Sequence, residues 1–375
     1  MEINGAKMFV KALQEEGVDT LFAYPGGTAI DLFDALYDAE GIDMILPRHE
    51  QALVHAADGY ARSTGRVGVC LVTSGPGATN LVTGIATANY DSVPLVCFTG
   101  QVPMNLIGND AFQEVDIVGI TRSICKYAVT VRKREDLARI IKNAFYIART
   151  GKPGPVVVDI PKDIQLAMGS DEYPSEVNIR GYKPSEGVHV GQIKRALAEL
   201  KNAKKPVFLC GGGVNIAHAR KEMQELAEKT GIPVVTTIMG KGAIPTDHPL
   251  YVGNIGMHGN MASNKAIMES DVLFSIGCRF NDRITGTIDT FAKNAKIIHV
   301  DIDAASISRN IKVDIPIVAD AKVAISKMLE YAEPLDIKDW VDDIMNVKAE
   351  YPINMNRYDG VTPEAIIRTI NDMYS

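Results

Sequence analysis

A single glutamate, Glu50, stands where an apolar run meets a helix-like segment, within residues 44–65. The run 44–46 predicts a short buried strand, and Pro47 ends it because proline has no N–H to donate to a central ladder. Apolar side chains then recur at helical spacing at Leu53, Ala56, Ala57 and Tyr60. Glu50 therefore falls in the first helical turn, where the helix dipole favours a charged acid and an apolar cover would favour a protonated one. Such an acid can exchange a proton with a bound group, although acids are also common there for helix stability alone.

Two glycine-containing turns could let a ligand approach the backbone. Gly26 and Gly27 form the first turn, between a strand-like and a helix-like run, and a plain strand-to-helix turn is an equal alternative. The second turn, TSGPGATN at 73–80, opens another helix-like run and could equally bind an anion.

The elements that position these residues alternate between strand and helix over residues 1–166. The predicted strands are TLFAY, VGVCLVT, PLVCFTG and PVVVDI. Apolar strands separated by helices predict a parallel sheet covered on both faces. The loops YPGGT, PRHE, TSGPGATN and TGQVP follow strand ends, so one ligand-binding edge should collect all four.

The rest of the chain divides into four predicted segments. Residues 167–186 are polar, contain Gly and Pro and show no period, which predicts a linker. Residues 187–335 alternate again and predict a second doubly wound α/β domain. Residues 336–362 predict a helix followed by an extended link, and residues 363–375 predict the first helix of a third domain.

Composition and charge exclude several classes of protein. The net charge of −7 argues against a nucleic-acid partner, and the basic run at 132–134 predicts a solvated face. No apolar run reaches the roughly 18 residues of a membrane span, and the first residues lack a signal-peptide pattern. We therefore expect a cytoplasmic protein without nucleic-acid or membrane partners. The five cysteines have no metal-ligand spacing, so we expect no metal site in this chain.

Six segments in a fixed order carry a family resemblance: FAYPGGTAIDLFDAL, RHEQALVHAADGYARSTG, VCLVTSGPGATNLVTGIATAN, TGQVP, AFQEVD and KPGPVVVDIPKD. Together they resemble thiamine-diphosphate-dependent enzymes, and most closely the catalytic-subunit family of acetohydroxyacid synthase, also called acetolactate synthase. The resemblance implies an α/β fold with two doubly wound parallel-sheet domains, one binding the pyrimidine end of thiamine diphosphate and one binding FAD.

The resemblance also implies roles for residues of the first domain. Glu50, in the RHEQA motif, is expected to bond the pyrimidine ring nitrogen of the cofactor. The other expected pyrimidine-end contacts are Pro25, Gly26, Gly27, Thr79 and Asn80. The expected 2-ketoacid channel is lined by Thr28, Phe112, Gln113 and Lys162, the last two counted with Glu50 as catalytic. Residue type alone also allows Lys162 to be a surface lysine.

For the second domain the resemblance implies a FAD site. The segment CGGGVNIAHAR is a weak dinucleotide motif, because Ile216 stands where the third glycine is expected. The expected FAD contacts are Lys152, Gly211, Gly212, Gly213, Thr236, Gly256, Met257, His258, Gly259, Gly277, Arg279, Asn281, Arg283, Asp301, Ile302, Asp303, Ser306, Asp320 and Ala321. Lys152 replaces a family arginine and Asn281 replaces an aspartate. A lysine lacks the bidentate fork of arginine, so we expect weaker flavin binding.

The family's GDG motif, which opens its magnesium-binding segment, does not occur, and the nearest fragment is YDG at 358–360. The Mg²⁺ ligands are thus expected outside this chain. The implied reaction decarboxylates pyruvate and ligates the two-carbon unit to pyruvate or 2-ketobutyrate, the first step of branched-chain amino-acid synthesis. The implied assembly is a homodimer or homotetramer with a full-length or complementary chain, with a small regulatory subunit as a further partner. With half a site, the chain alone is expected to be inactive.

Two other functions stay open from the sequence. One is a relative within the same superfamily: a flavin-free catabolic acetolactate synthase, a pyruvate oxidase or a glyoxylate carboligase. The other is a non-catalytic fragment that binds nucleotides or forms oligomers.

Overall fold

The computed structural model describes residues 1–185, 187–353 and 360–374. The chain divides into two compact units, Met1–Pro184 and Ser185–Ser375. Each unit contains a six-stranded sheet whose strands are all parallel, which confirms the predicted fold class. Glu186 of the predicted linker, residues 354–359 with most of the YDG fragment, and the last residue of the predicted terminal helix lie outside the described residues.

The strands of the first unit are β1 (Glu2–Asn4), β2 (Thr20–Ala23), β3 (Asp43–Ile45), β4 (Gly68–Val72), β5 (Leu95–Gln101), β6 (Tyr127–Thr130), β7 (Pro155–Pro161) and β8 (Met168–Ser170). Its helices are α1 (Gly5–Glu15), α2 (Ile30–Tyr37), α3 (Glu50–Thr64), α4 (Pro76–Thr79), α5 (Val82–Asp91), α6 (Ile117–Thr121), α7 (Leu137–Arg149) and α8 (Lys162–Leu166). The main sheet has the order β3-β2-β4-β5-β7-β6, and β1 pairs with β8 in an antiparallel ribbon.

Helices cover both faces of this sheet, which explains why its central strands read as continuous apolar runs. On one face, Phe9 of α1 meets Phe98 of β5 edge-on, with ring centroids 4.9 Å apart. On the other face, Leu53 and Val54 of α3 are fully buried in a second core cluster. The carboxyl edge of the sheet is therefore carried on a rigid, doubly covered layer.

The strand that leads to Glu50 differs from its prediction. Met44 and Ile45 do form a strand, β3, but they are 48% and 45% exposed, and Leu46 is 60% exposed. The prediction of a buried strand was wrong, because β3 is the edge strand of the sheet and pairs only with β2 in the described part of the chain.

The basic run at 132–134 was predicted to be a solvated face; Arg132 and Lys133 are exposed as predicted, and Arg134 is not. Arg134 is only 5% exposed. Its guanidinium donates to the carbonyl oxygen of Ile3 at 2.9 Å and to that of Ser170 at 3.2 Å. The arginine thus fastens the β1–β8 ribbon, since carbonyl oxygens supply the acceptors that a buried guanidinium needs.

Much of the predicted linker 167–186 lies against the first unit. Strand β8 belongs to it, and Tyr173, Ile179 and Tyr182 pack against the core of that unit. The Tyr182 hydroxyl donates to the Thr150 carbonyl oxygen at 2.9 Å. A polar composition with Gly and Pro did not reveal these contacts, because they depend on a few aromatic residues.

The strands of the second unit are β9 (Pro206–Cys210), β10 (Val234–Thr236), β11 (Tyr251–Asn254), β12 (Val272–Ile276), β13 (Lys296–Asp301) and β14 (Ile315–Val318). Its helices are α9 (Val190–Asn202), α10 (Gly212–Ile216), α11 (Arg220–Thr230), α12 (Met261–Glu269), α13 (Asp282–Thr285), α14 (Ala321–Tyr331), α15 (Lys338–Glu350) and α16 (Pro363–Tyr374). The sheet order is β11-β10-β9-β12-β13-β14.

Helix α15, predicted to follow the second domain, packs on its sheet. Trp340 is 5% exposed and donates its indole N–H to the carbonyl oxygen of Pro206 at 3.1 Å. The predicted helix after Thr362 is present as α16, and the Thr362 hydroxyl accepts a hydrogen bond from the backbone N–H of Ala365 at 3.1 Å. Within the three described stretches, none of the helices has the length and apolar character needed to cross a membrane.

Candidate functional site

The first sheet has a topological switch point at β2, where the chain adds β3 on one side of β2 and then β4 on the other. Strand β2 has β3 on one side and β4 on the other, and all these neighbours are parallel. In parallel sheets a crevice forms at the carboxyl ends of the strands beside such a switch point, and ligands bind there. The turns after β2, β3 and β4 carry the predicted pyrimidine-end residues to this edge.

Hydroxyl groups join the turn after β2 to the turn after β4. Thr28 Oγ1 lies 3.0 Å from Thr73 Oγ1 and accepts a hydrogen bond from the backbone N–H of Ser74 at 3.0 Å. A Cβ added at Gly26 would lie 2.5 Å from Thr73 Cβ, so this glycine is required by packing between the turns. A Cβ at Gly27 would have no atom within 4 Å, which leaves its side open to a ligand.

Glu50 is the first residue of α3 and is half-buried. Its Oε2 accepts a hydrogen bond from Asn80 Nδ2 at 2.9 Å, and its Oε1 would lie 3.5 Å from a Cβ added at Gly77. The structure thus brings Glu50 and Asn80 together, two residues predicted from separate motifs. Thr79 bonds within its own turn, donating to the carbonyl oxygen of Pro76 at 3.2 Å.

These residues fit one hydrogen-bonding edge of a heteroaromatic ring. The Glu50 carboxylate is held in place by a neutral amide and stands at a helix N-terminus, where negative charge is favoured. Close by in the turn after β4, Ser74 Oγ is buried and has no hydrogen-bond partner in the described residues. An acceptor that is fixed by a neutral donor can work as a proton acceptor for a bound ring.

Two predicted channel residues lie on loop 102–116, the connection between β5 and α6. Gln113 has a φ of +57°, a left-handed conformation, and its carbonyl oxygen would lie 2.5 Å from a Cβ added at Gly75. Gly75 is in the same turn as Gly77, so Gln113 lies near Glu50. Phe112 is 86% exposed on the same loop.

Lys162, the first residue of α8, also lies at this edge. Its Nζ donates to the carbonyl oxygen of Gly27 at 3.4 Å and lies 3.8 Å from Asp31 Oδ2. The Lys162 side chain is 36% exposed. A cation held beside the turn after β2 can attract the carboxylate of an incoming small acid.

The second sheet has its own switch point, between β9 and β12. Here two backbone segments cross in close contact. A Cβ at Gly211 would lie 2.1 Å from the carbonyl oxygen of Gly277, and a Cβ at Gly213 would lie 2.7 Å from the Cα of Gly277. The backbone N–H of Gly213 donates to that same carbonyl oxygen at 3.1 Å. Glycine at 211 and 213 is thus a packing requirement of the crossing, whereas a Cβ at Gly212 would meet Met239 Cβ at 3.1 Å.

Several residues predicted to contact FAD already have their side chains bonded to other groups of the protein. Thr236 is fully buried and its hydroxyl donates to Asn254 Oδ1 at 2.7 Å. Asp320 caps α14, accepting from the backbone N–H groups of Lys322 at 2.8 Å and Val323 at 3.2 Å, with Ala321 buried as the first helical residue. These contacts weaken a direct role in ligand binding for the side chains of Thr236 and Asp320, because each polar group has protein partners.

The remaining predicted contacts surround strand ends of the second unit. Asp301 accepts from the backbone N–H of Asp303 at 2.9 Å, and Ser306 donates to Asp303 at 3.3 Å, which orders residues 301–306 with Ile302 between them. Gly256, Met257, His258 and Gly259 form a loop tied to α13, because the Met257 N–H donates to the Arg283 carbonyl oxygen at 3.0 Å. Arg283 is 70% exposed, Arg279 is half-buried and Asn281 precedes α13. Lys152 belongs to the first unit, between α7 and β7.

Some residues of the first site were not predicted from the sequence. Thr73 and Ser74 connect two turns, Gln101 bonds to Val115 of loop 102–116 and to Asp159, and Asp31 pairs with Lys162. Each belongs to a segment that the motif analysis recognised. Polar residues within otherwise apolar strands, such as Asp159 in PVVVDI, were the signal that could have identified them. The described residues contain no group of three His, Cys, Asp or Glu side chains placed to hold a metal ion.

Two family profiles match the chain. The profile described as "Thiamine pyrophosphate enzyme, N-terminal TPP binding domain" matches residues 3–120. The profile described as "Thiamine pyrophosphate enzyme, central domain" matches residues 193–328. The matched ranges fall in the first and second structural units, one profile to each.

The chain is also similar to curated proteins along nearly its whole length. It is 48% identical over 385 residues to a probable acetolactate synthase large subunit of Methanococcus aeolicus, covering 98% of this chain and 64% of that protein. It is 46% identical over 378 residues to the acetolactate synthase isozyme 3 large subunit of Escherichia coli (strain K12), covering 98% and 66%. For the acetolactate synthase large subunit of Corynebacterium glutamicum the identity is 47%, covering 98% and 60%. The chain thus spans less than two thirds of the length of these relatives.

Proposed function

This chain belongs to the thiamine pyrophosphate enzymes, and we propose that it forms the cofactor-orienting part of an acetolactate synthase large subunit. In this proposal Glu50 holds the pyrimidine end of thiamine diphosphate at the first switch point. The observation that carries the proposal is the Glu50 carboxylate, fixed by Asn80 at 2.9 Å in a bond that joins the segments after β3 and β4, the two strands that flank β2. The identity of 46–48% to named large subunits supports the choice of reaction.

Glu50 acts on a proton of the bound cofactor. A carboxylate that accepts a hydrogen bond from a pyrimidine ring nitrogen stabilises a proton on that nitrogen. Asn80 keeps one carboxylate oxygen in place, and the other oxygen lies beside Gly77, 3.5 Å from the position of an added Cβ. When bound, thiamine diphosphate supplies the carbon that attacks a 2-ketoacid and carries the two-carbon unit after carbon dioxide leaves.

Substrate approach depends on loop 102–116 and on α8. Lys162 would attract the carboxylate of pyruvate or 2-ketobutyrate, because its side chain is cationic and partly exposed at the carboxyl edge. Phe112 would supply an apolar wall, and its 86% exposure leaves it free to contact a substrate or another part of the enzyme. Gln113 lies between this wall and the turn at Gly75.

We place FAD at the second switch point, where Gly211 and Gly213 pack backbone against backbone and add no side chains of their own. Residues 301–306, loop 256–259, Arg279, Arg283 and Asn281 would surround it, with backbone groups contributing more than the side chains of Thr236 and Asp320. Lys152 stays a predicted contact. The magnesium ligands and the remaining half of the thiamine site are expected from the part of the large subunit that this chain does not match, and assembly as a homodimer or homotetramer, with a regulatory subunit, completes the proposal.

A chimera tests the proposed reaction. The chain would be joined to the carboxyl-terminal third of the Escherichia coli relative, and acetolactate formation from pyruvate would be measured with thiamine diphosphate, Mg²⁺ and FAD. We expect acetolactate from the chimera and none above background from the 375-residue chain alone. A folded, cofactor-loaded chimera without activity would contradict the proposal.

Calorimetric titration of the chimera separates an enzyme part from a nucleotide-binding fragment. A fragment that only binds nucleotides should bind FAD and show no response to thiamine diphosphate with Mg²⁺. A flavin-free relative should form acetolactate in the chimera without FAD, and the absorbance of the purified chimera near the flavin bands decides this point.

A further inference from the structure

Loop 102–116 returns to the end of β5 and is fastened there by one side chain. Gln101 is 3% exposed, and its Nε2 donates to the carbonyl oxygen of Val115 at 3.0 Å. The start of the loop has a separate anchor, because the backbone N–H of Met104 donates to Asp163 Oδ1 at 3.2 Å. Both ends of the loop are thus fixed to the sheet edge that carries Glu50.

The orientation of the Gln101 amide is determined by its backbone partners. Its Oε1 accepts from the backbone N–H of Val102 at 2.9 Å, while its Nε2 donates to Val115. A flipped amide would lose both bonds, so the second N–H of Nε2 must point at another acceptor. That acceptor is Asp159 Oδ2, at 3.2 Å.

Asp159 lies in β7 and is 2% exposed. Its two neighbours in register, Thr99 of β5 and Thr130 of β6, donate their hydroxyls to it at 2.6 Å and 3.3 Å. The carboxylate is therefore held from both sides and cannot follow the loop if the loop moves. A buried carboxylate that is this well bonded gives Gln101 a fixed reference point in the sheet.

We propose that Asp159 and Gln101 form a latch that holds loop 102–116 against Gly75, and so fixes Gln113 beside the Glu50 site. Both are positioning residues, and neither needs to touch a substrate. The consequence for catalysis, a fixed wall for the approaching 2-ketoacid, rests on the proposed function. The latch itself is a property of the first unit and does not depend on it.

The charge of Asp159 gives the latch a pH dependence. Burial raises the pKa of Asp159 from 3.8 to about 6, the hydrogen bonds from Thr99, Gln101 and Thr130 oppose that rise, and the negative charge of Asp116 adds to it. Asp116, at the end of loop 102–116, acts on Asp159 through its charge, whereas the register partners of Asp159, Thr99 and Thr130, are neutral. Because the folded state binds this proton more tightly than the unfolded state, ionisation of Asp159 lowers the stability of the unit as the pH rises from 3.8 to about 6. Below that pKa the proton on Asp159 competes with Gln101 for a carboxylate oxygen, and the loop loosens. Protonated Asp159 no longer lowers the free energy of unfolding of the unit.

Hydrogen exchange on the intact 375-residue chain tests the latch. The reporter amides are Glu114 and Ile117, whose N–H groups bond to carbonyl oxygens at the end of the loop. Asp159→Asn removes the charge and leaves one acceptor oxygen where Thr99 and Gln101 now donate to separate oxygens, and we expect roughly tenfold faster exchange at the reporters above pH 6. Wild-type exchange, corrected for its intrinsic pH dependence, should rise by a similar factor below the pKa of Asp159, and exchange in the variant should not change with pH.

Two further variants keep the test decisive. Gln101→Met removes the donor without altering the buried charge, and should loosen the reporters even if Asp159→Asn does not fold. Thr130→Val removes a bond to Asp159 but leaves Gln101 in place, and should leave the reporters near wild-type protection. Unchanged reporters in Gln101→Met, or equal loss of protection in β4, would overturn the latch.

The same variants in the chimera address the catalytic consequence separately. A loosened loop should raise the KM for pyruvate about tenfold and leave kcat within about threefold, because substrate approach is affected and the Glu50 contact is not. If the chimera is inactive while exchange shows a latch, the proposed function fails and the latch stands. If the chimera is active and Gln101→Met changes neither exchange nor KM, the latch fails and the proposed function stands.

Discussion

At the first switch point, hydroxyl, amide and carboxylate side chains from separate turns bond to one another, as in Thr28 with Thr73 and Glu50 with Asn80. At the second, backbone packs directly against backbone, with Gly211 against Gly277. Both lie at the same topological position of a doubly wound sheet. The difference indicates that side-chain chemistry defines the first site, whereas the absence of side chains defines the second.

This difference predicts where substitutions will act. In the first unit a conservative change of a functional group should alter chemistry and leave the fold intact. In the second unit the smallest added side chain at the crossing should alter the fold. The two sites can therefore be compared by variants that change only a few atoms.

The largest effect is expected for Gly211→Ala in the second unit. The new Cβ would lie 2.1 Å from the carbonyl oxygen of Gly277, and a backbone atom in a buried crossing cannot give way cheaply. We expect a loss of about 3 kcal/mol or more in the free energy of unfolding of this unit. Urea unfolding followed by fluorescence of Trp340, the single tryptophan of the chain and buried in the second unit, measures it.

Gly212→Ala is the matched control for that variant. Its Cβ would meet Met239 Cβ at 3.1 Å, and this methionine is 41% exposed and can move. We expect a loss below about 1 kcal/mol. Equal losses at 211 and 212 would contradict the view that backbone contact defines the second switch point.

The next largest effect is expected for Glu50→Gln in the chimera. The side-chain oxygen of the introduced glutamine can still accept from Asn80, so the free energy of unfolding should stay within about 0.5 kcal/mol of wild type. Acetolactate formation should fall at least about 100-fold, because a neutral amide does not stabilise a proton on a pyrimidine nitrogen. The measurement pairs initial rates with urea unfolding of the same preparation.

Glu40→Gln supplies the control for charge, because Glu40 is exposed in the same unit. It should change neither rate nor stability. An active Glu50→Gln chimera would remove the chemical role from the first switch point. If Glu50→Gln unfolds the first unit, Glu50 has a structural role, like the glycines at the second switch point.

A smaller effect is expected where the first unit uses hydroxyls to join its turns. Thr28→Val keeps the shape but removes the Oγ1 that bonds Thr73 Oγ1 and the Ser74 N–H, each at 3.0 Å. The Ser74 N–H would be left without its acceptor, which should cost about 1–2 kcal/mol. Thr28→Ser keeps the hydroxyl and should cost less than about 0.5 kcal/mol. Circular dichroism in urea measures both, and equal losses would show that the methyl group, not the hydroxyl, joins the turns.

Much of the fold could be predicted because its central strands are apolar and separated by amphipathic helices. Prediction failed where position in the sheet mattered more than composition. Strand β3 is apolar yet exposed, because it is an edge strand, and Arg134 is charged yet buried, because carbonyl oxygens of the β1–β8 ribbon surround it. Strand β6 was missed because it lies at the opposite edge and is only partly buried.

The first site was predicted only in part, again because position in the sheet matters more than composition. Motifs identified Glu50, Asn80, Gln113 and Lys162 one at a time, and the parallel sheet brings them to one edge. The bonds that fix the site join residues 45 and 58 positions apart, as in Thr28 with Thr73 and Gln101 with Asp159. Such pairs depend on strand register, which a single sequence does not give.

The smallest expected effect tests whether side chains are equally dispensable elsewhere in the second unit. Ser263, in the first turn of α12, is fully buried, and its Oγ has no hydrogen-bond partner in the described part of the chain. Its backbone N–H is already capped by Asn260 at 2.7 Å. Removing an unbonded buried hydroxyl costs little, so Ser263→Ala should change the free energy of unfolding by no more than about 0.5 kcal/mol.

Ser270, just after the same helix, is also fully buried, but its Oγ donates to the carbonyl oxygen of Ile267 at 2.8 Å. Ser270→Ala should therefore cost about 1 kcal/mol, measured by Trp340 fluorescence in urea beside Ser263→Ala. A cost at Ser263 as large as that at Ser270 would mean that a buried water or a bound group completes the Ser263 hydroxyl. The Ser263 hydroxyl lies beside the end of β11, because a Cβ added at Gly253 would lie 3.1 Å from it. A bonded Ser263 hydroxyl would therefore mean that the carboxyl edge of the second sheet also relies on a polar side chain. The contrast between the two units would be confined to the glycine crossing itself.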